Sequence, residues 1–195
     1  MNVRILVFAG SVKSNSLNAR LASAAQSKLA QLGADVTRIS LQDYPMPVVS
    51  EDLKAQKGIP EGAMQLGRAI AAQHGVFIAS PEYNASIPPL LKNAVDWVSL
   101  ISRDGDRPLK PWKGRYVALG AASNGQLGGI RGLYHLRPVL MAVGSQIITE
   151  QCSVAGAATA FDGEGRIIDE RTDGILQRTC QSLVDHCRFF QPATV

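Results

Sequence analysis

Cysteine, aromatic side chains and charge are all in short supply in this chain of 195 residues. Its three cysteines, Cys152, Cys180 and Cys187, cannot all pair, and none sits in a C-x-x-C. Cys180 and Cys187 lie two turns apart on one helical face, too far for a bridge. Buried thiols in a reducing compartment are therefore expected, and a disulfide framework is excluded. No grouping of His, Cys, Asp and Glu has ligand spacing, so no metal site is expected. No apolar run approaches the roughly 18–20 residues of a membrane span. Met1-Asn2-Val3-Arg4-Ile5 leads into a strand-like run without a secretory n-region and cleavage pattern, so a cytoplasmic location is expected. A scattered net charge of +4 argues against a nucleic-acid partner.

What the chain has is apolar patterning. Hydrophobic residues make up 46%, enough for a sizeable core, and the length suits one domain spanning 1–195. Five strand-like runs recur: Val3 to Ala9, Asp35 to Leu41, Gly75 to Ala79, Arg115 to Gly120 and Ser145 to Thr149. The first, third and fourth are nearly continuous in apolar residues, as strands covered on both faces should be. The second and fifth alternate and belong at the edges. Between them run stripes at helical spacing: Leu17 to Leu32, Ala63 to His74, Leu90 to Val98, Ile130 to Met141 and Ile175 to Phe190. Strands alternating with such helices predict a parallel, doubly wound α/β sheet. Gln42 to Gly58 reads as a long connection, and Phe161 to Arg166 as a turn.

Ligands in such a sheet bind outside the carboxyl ends of the strands, where strand order reverses. Three loops there are polar or glycine-rich: Gly10 to Ser16, Ser80 to Ser86, and Ala122 to Gly129. With an order 2-1-3-4-5, the first two flank the reversal. The first offers Ser11, Ser14, Asn15, Ser16 and Asn18 at a helix start that favours an anion, with Lys13 adding positive charge. It has neither a Walker A ending nor G-x-G-x-x-G. In the second, Pro81 stiffens a turn carrying Glu82, Tyr83 and Asn84, suited to the edge and face of a heteroaromatic ring.

Ser80-Pro81-Glu82-Tyr83-Asn84, Ser86-Ile87-Pro88 and Leu91-Lys92-Asn93-Ala94-Val95-Asp96-Trp97 together closely resemble the NADPH-dependent FMN reductase family, which includes quinone, chromate and azo-dye reductases. Gly10-Ser11-x-Lys13-x-x-Ser16-x-Asn18 is similar to that family's phosphate loop. Ser123-x-Gly125-x-x-Gly128-Gly129-x-Arg131 with His135-Leu136-Arg137 is similar to its third loop and following helix. The resemblance implies a flavodoxin-like three-layer α/β sandwich with a five-stranded parallel sheet in order 2-1-3-4-5. It implies FMN, with Ser11, Lys13, Ser16 and Asn18 on the phosphate. Pro81, Glu82, Tyr83 and Asn84 would line the isoalloxazine, and Ser123 would approach from the third loop. Arg131 and the helix after the second loop would lie near subunit contacts of a homodimer or homotetramer. Trp97, Tyr134 and Arg137 are the side chains placed to meet a neighbour, although Trp97 suits the core equally. Three positions depart from the family: Lys13 replaces a usual Arg, Ala85 a common aromatic, and Pro89 a usual Gly. Consecutive prolines still suit a first helical turn.

The implied reaction is ping-pong hydride transfer from NADPH or NADH to quinones, azo compounds, chromate or similar acceptors, and the cofactor carries it without a catalytic side chain. A hydrolase using Ser123 with His135 or His186 lacks the first glycine of the nucleophile elbow. A phosphoacceptor domain lacks an aspartate at the end of a central strand. The main rival is a flavodoxin-type electron carrier. Against it stands the basic balance, with Lys54, Lys57, Arg103, Arg107, Lys110 and Lys113 in or near loops, favouring a phosphorylated nucleotide. His74 is expected at a helix end near the dipole, and His186 on a solvated flank.

Overall fold

Continuous apolar strands need cover on both faces, and the computed structural model, which describes residues 2–189, provides it. Five strands form one parallel sheet: β1 (Arg4–Ala9), β2 (Asp35–Arg38), β3 (Gly75–Ala79), β6 (Tyr116–Ala122) and β7 (Gln146–Val154). Between β3 and β6 lies a small antiparallel hairpin of β4 (Arg103–Asp104) and β5 (Arg107–Pro108). In chain order the sheet is therefore β2-β1-β3-β6-β7. The expected numbering did not count the hairpin, whose two-residue strands leave no alternating pattern.

Side chains leave a strand on alternate faces. Ile5 and Val7 of β1 and Phe77 of β3 pack with α1 (Leu17–Gln31) and α6 (Glu170–Phe189), against Leu21, Leu29, Leu176 and Leu183. Leu6, Phe8, Val76 and Ile78 face the other way, toward α3 (Glu61–Ala71), α4 (Pro89–Ser99) and α5 (Ile130–Ala142). There they meet Leu66, Ile70, Leu91, Val95, Leu133 and Leu136, all at most 1% exposed. Each such buried aliphatic side chain contributes about 1.5–3 kcal/mol. The result is a three-layer α/β sandwich.

Four local expectations need correction. A short helix, α2 (Glu51–Lys57), interrupts the connection from Gln42, capped by Ser50, whose hydroxyl accepts from Leu53 N at 3.4 Å. None of its residues is buried, so no apolar stripe announced it. β7 runs on to Val154 beyond a register shift opposite Val117/Leu119, because Cys152 and Val154 resume the inward pattern after the polar Glu150 and Gln151. His74 is 8% exposed, and its Nδ1 accepts from Arg4 N at 3.0 Å, a bond that requires the neutral ring. Burial, then Arg4 and Arg115, hold its pKa below the ordinary value. His186 is half-buried, bonds Ser182 and packs against the Tyr116 ring, so it is no solvated flank residue. Phe190 lies outside the described residues.

All three thiols are free and buried, and burial pushes each up to about 12. They are inert at neutral pH.

Candidate functional site

The strand order reverses between β1 and β3, and the three polar loops leave the sheet at that end. Each starts as one more rung of the ladder. Gly10 N donates to Ala79 O at 2.9 Å, Ser80 N to Gly120 O at 2.8 Å and Ser123 N to Val154 O at 3.0 Å. The loops are thus seated by the sheet before they diverge.

The first loop opens α1. Ser16 is its N-cap, accepting from Ala19 N at 3.3 Å, while Ser11 accepts from Lys13 N at 3.3 Å. Both hydroxyls keep their hydrogen to donate. The first-turn N–H groups of Leu17 and Asn18 have no intrahelical acceptor, as at any helix start. Lys13, Ser14 and Asn15 are exposed, and the loop contains no carboxylate. Asn18 differs from the expectation. Its side chain is 3% exposed and clamps the end of β6, donating Nδ2 to Ala122 O at 3.0 Å and accepting from Ala122 N at 2.9 Å. These two bonds point inward and make Asn18 a clamp on the loop, and its Nδ2 keeps a second N–H beyond them.

The second loop contains a tight turn. Tyr83 and Ser86 exchange both backbone bonds, at 3.0 and 2.9 Å, around Asn84 and Ala85 with φ of 49° and 63°. Asn tolerates this left-handed conformation, whereas Ala is strained there. The turn leaves Tyr83 half exposed and Asn84 exposed, beside a half-buried Pro81. Glu82 again differs. Its carboxylate turns onto the start of α5, pairing with Arg131 and accepting from Gly132 N at 3.1 Å. Burial alone would raise its pKa, but Arg131 and Gly132 N–H outweigh that and hold it below the usual carboxylate value. Only the backbone of Glu82 remains for a ligand, and Arg131 is engaged within its own chain. Gly132 permits the close approach, since a Cβ there would stand 3.3 Å from both Glu82 Cβ and Ser86 O. His135 adds a second fastening, Nδ1 to Ser86 Oγ at 3.0 Å.

The third loop keeps Ser123 half-buried, its hydroxyl accepting from Gly125 N at 3.2 Å. Gly128 must be glycine: its φ is +58°, and a Cβ would stand 2.9 Å from the backbone N of Ala155.

The Lys92-Asn93-x-x-Asp96-Trp97 motif has a structural use. Lys92 pairs with Asp96 at 2.8 Å, Asn93 accepts from Val49 N at 2.8 Å, and Asn93 and Trp97 both donate to Pro47 O, at 2.9 and 2.7 Å. They pin the 40s connection beside the site. Trp97 is fully buried, so it belongs to the core and is closed to a neighbour. Arg137 is likewise occupied, by Gln151 Oε1 and Ile148 O. Pro88 caps α4 and Pro89 takes its first position, where a missing N–H is harmless. Chain direction also corrects the electrostatics. Arg103, Arg107, Lys110 and Lys113 precede β6, so they sit toward the amino end of the sheet, away from the loops.

Residues 3–159 match the profile of the NADPH-dependent FMN reductases. The chain belongs to that family. It is 32% identical over 184 residues to an NAD(P)H-dependent FMN reductase of Pseudomonas aeruginosa, covering 93% of this chain and 94% of that one. It is 30% identical over 173 residues to a quinone reductase of Escherichia coli K12, covering 87% of each. Among solved structures it is similar to FerB, a flavoenzyme NAD(P)H:(acceptor) oxidoreductase of Paracoccus denitrificans, with TM-score 0.76, 28% identity and coverage of 95% and 97%. As a member of this family it is an FMN-dependent NAD(P)H oxidoreductase with a flavodoxin-like fold. The donor set fits the cofactor: hydroxyls, helix-start N–H groups and Lys13 suit a phosphate, and Pro81 with the Tyr83 ring suits a flat heteroaromatic. No described helix is long and apolar enough to cross a membrane.

Proposed function

We propose that this chain reduces quinones and related acceptors, azo compounds and chromate among them, at the expense of NADPH or NADH in the cytoplasm. The convergence of three sheet-anchored loops at the β1/β3 reversal carries this reading. FMN, when bound, supplies the two-electron chemistry. The protein's share is placement. Ser11, Lys13, Ser16 and the α1 first-turn N–H groups hold the phosphate, with Asn18 keeping that turn against β6. Pro81, Tyr83, Asn84 and the Glu82 backbone border the ring, and Ser123 borders it from the third loop. The Glu82 bonds to Arg131 and Gly132 keep the second loop in register with α5. One open face serves donor and acceptor in turn, which makes the kinetics ping-pong.

The chain forms one domain and assembles as a homodimer or homotetramer. Supporting this, Tyr134 and Met141, 57% and 61% exposed, share one face of α5 with the exposed Pro138. Light scattering that finds a concentration-independent monomer with full activity rejects the assembly.

Anaerobic mixing with NADPH, then NADH, then a quinone, followed by flavin absorbance, tests the reaction. Rapid bleaching and reoxidation are expected. A flavin that stays oxidised with both nucleotides yet accepts electrons from a protein donor would mean an electron carrier.

A further inference from the structure

A crevice of about 280 Å³ lies outside the carboxyl ends of β1 and β2, next to the first loop but on the side away from β3. Ser11, Arg38, Ser40 and Asp43 supply its polar walls, and Ala19 of α1 closes one side. It falls just below the roughly 300–1,000 Å³ of sites for whole ligands, so it has room for a phosphorylated sugar and not for a whole dinucleotide.

Resting on the NAD(P)H reading above, we propose that this crevice takes the 2′-phosphate and its ribose from the adenosine half of NADPH. Arg38 is half-buried, and no ion pair among the described residues engages it. Its bonds go to neutral acceptors, the Ser23 hydroxyl and Ala19 O, the latter at 2.8 Å. These use two of the five N–H donors of a guanidinium and leave its charge without a counter-ion. Burial disfavours that charge and lowers the pKa of Arg38, and an entering phosphate would offset this cost.

The neighbours complete the recognition. Ser40 Oγ accepts from Gln42 N at 3.2 Å, so its hydroxyl hydrogen remains to donate, while Ser11, whose hydroxyl serves the FMN phosphate, only borders the crevice. Asp43 accepts, which suits a ribose hydroxyl or an adenine amine and opposes a bare phosphate. That mixture matches a phosphorylated nucleoside better than an inorganic anion. Sheets of this kind take ligands outside the carboxyl ends of their strands. Here β2 ends on Arg38 itself.

The test is calorimetric titration of the FMN-loaded protein with adenosine 2′,5′-bisphosphate and with 5′-AMP, which needs no turnover. Charge-assisted hydrogen bonds of this kind give roughly ten- to hundredfold tighter binding of the bisphosphate. Arg38→Gln should bring it down to the 5′-AMP level. Because Arg38 also braces α1, Ser40→Asp serves as the second variant. Asp caps a helical turn as well as Ser does, and it places a negative charge in the crevice. It should abolish the same discrimination. A wild-type protein that binds both nucleotides equally, or variants that keep the wild-type discrimination, would overturn the proposal. Discrimination lost in both variants, with a flavin that neither NADPH nor NADH reduces, would keep the site and remove the reductase reading instead.

Discussion

The two ends of the sheet use polar side chains in opposite ways. At the amino end, Arg4, His74 and Arg115 turn onto the protein's own backbone. Arg4 Nε donates to Ala72 O at 2.9 Å, Arg115 to Ala71 O at 2.9 Å, and His74 accepts from Arg4 N. At the carboxyl end, Lys13, Tyr83 and Asn84 stand exposed, while buried partners such as Asn18 and Glu82 hold their loops in place. Charge alone therefore does not mark a site. The mark is a polar group displayed by a loop that the sheet already anchors.

The contrast can be broken from the carboxyl end first. Lys13→Glu replaces attraction for a phosphate with repulsion and should weaken FMN binding about thirtyfold, about 2 kcal/mol, in a fluorescence titration of the apoprotein. Its unfolding midpoint in urea should hardly move, because the residue is exposed. Asn18→Ala should do the reverse in emphasis. It strips both partners from a buried backbone unit, and urea unfolding should show a loss of about 2–3 kcal/mol.

The amino end answers to pH. The folded pKa of His74 lies below its unfolded value near 6.5, so the folded state binds fewer protons. Its contribution is fully present above about pH 6.5 and is lost as pH falls toward the folded pKa. His74→Asn keeps an acceptor for Arg4 N and should flatten that part of the stability profile, a smaller change than the loss at Asn18. Ala85→Gly should have the smallest effect, a gain of about 0.5–1 kcal/mol from relieving the left-handed alanine. Thermal unfolding of the apoprotein reads it.

Periodicity made the layers legible. β1 and β3 alternate Ile5, Leu6, Val7, Phe8 and Val76, Phe77, Ile78 between two cores, and each following loop is polar where the sheet ends. The polar contacts were not legible, because they join distant positions. Asn18 finds Ala122, and Glu82 finds Arg131 and Gly132, only once the strands are side by side. A capping serine can sit next to the helix it starts, as Ser16 does; a carboxylate reaching α5 from the second loop leaves no local spacing to read. Trp97 was ambiguous for a related reason: its indole partner, Pro47 O, lies in a connection with no pattern of its own.

Hydrogen exchange with and without FMN compares the two ends most directly. Added FMN should slow amide exchange in residues 10–18, 80–86 and 123–129 and leave 71–74 and 113–116 unchanged. Protection confined to the amino end, or none at the three loops despite bound flavin, would contradict the assignment of the site.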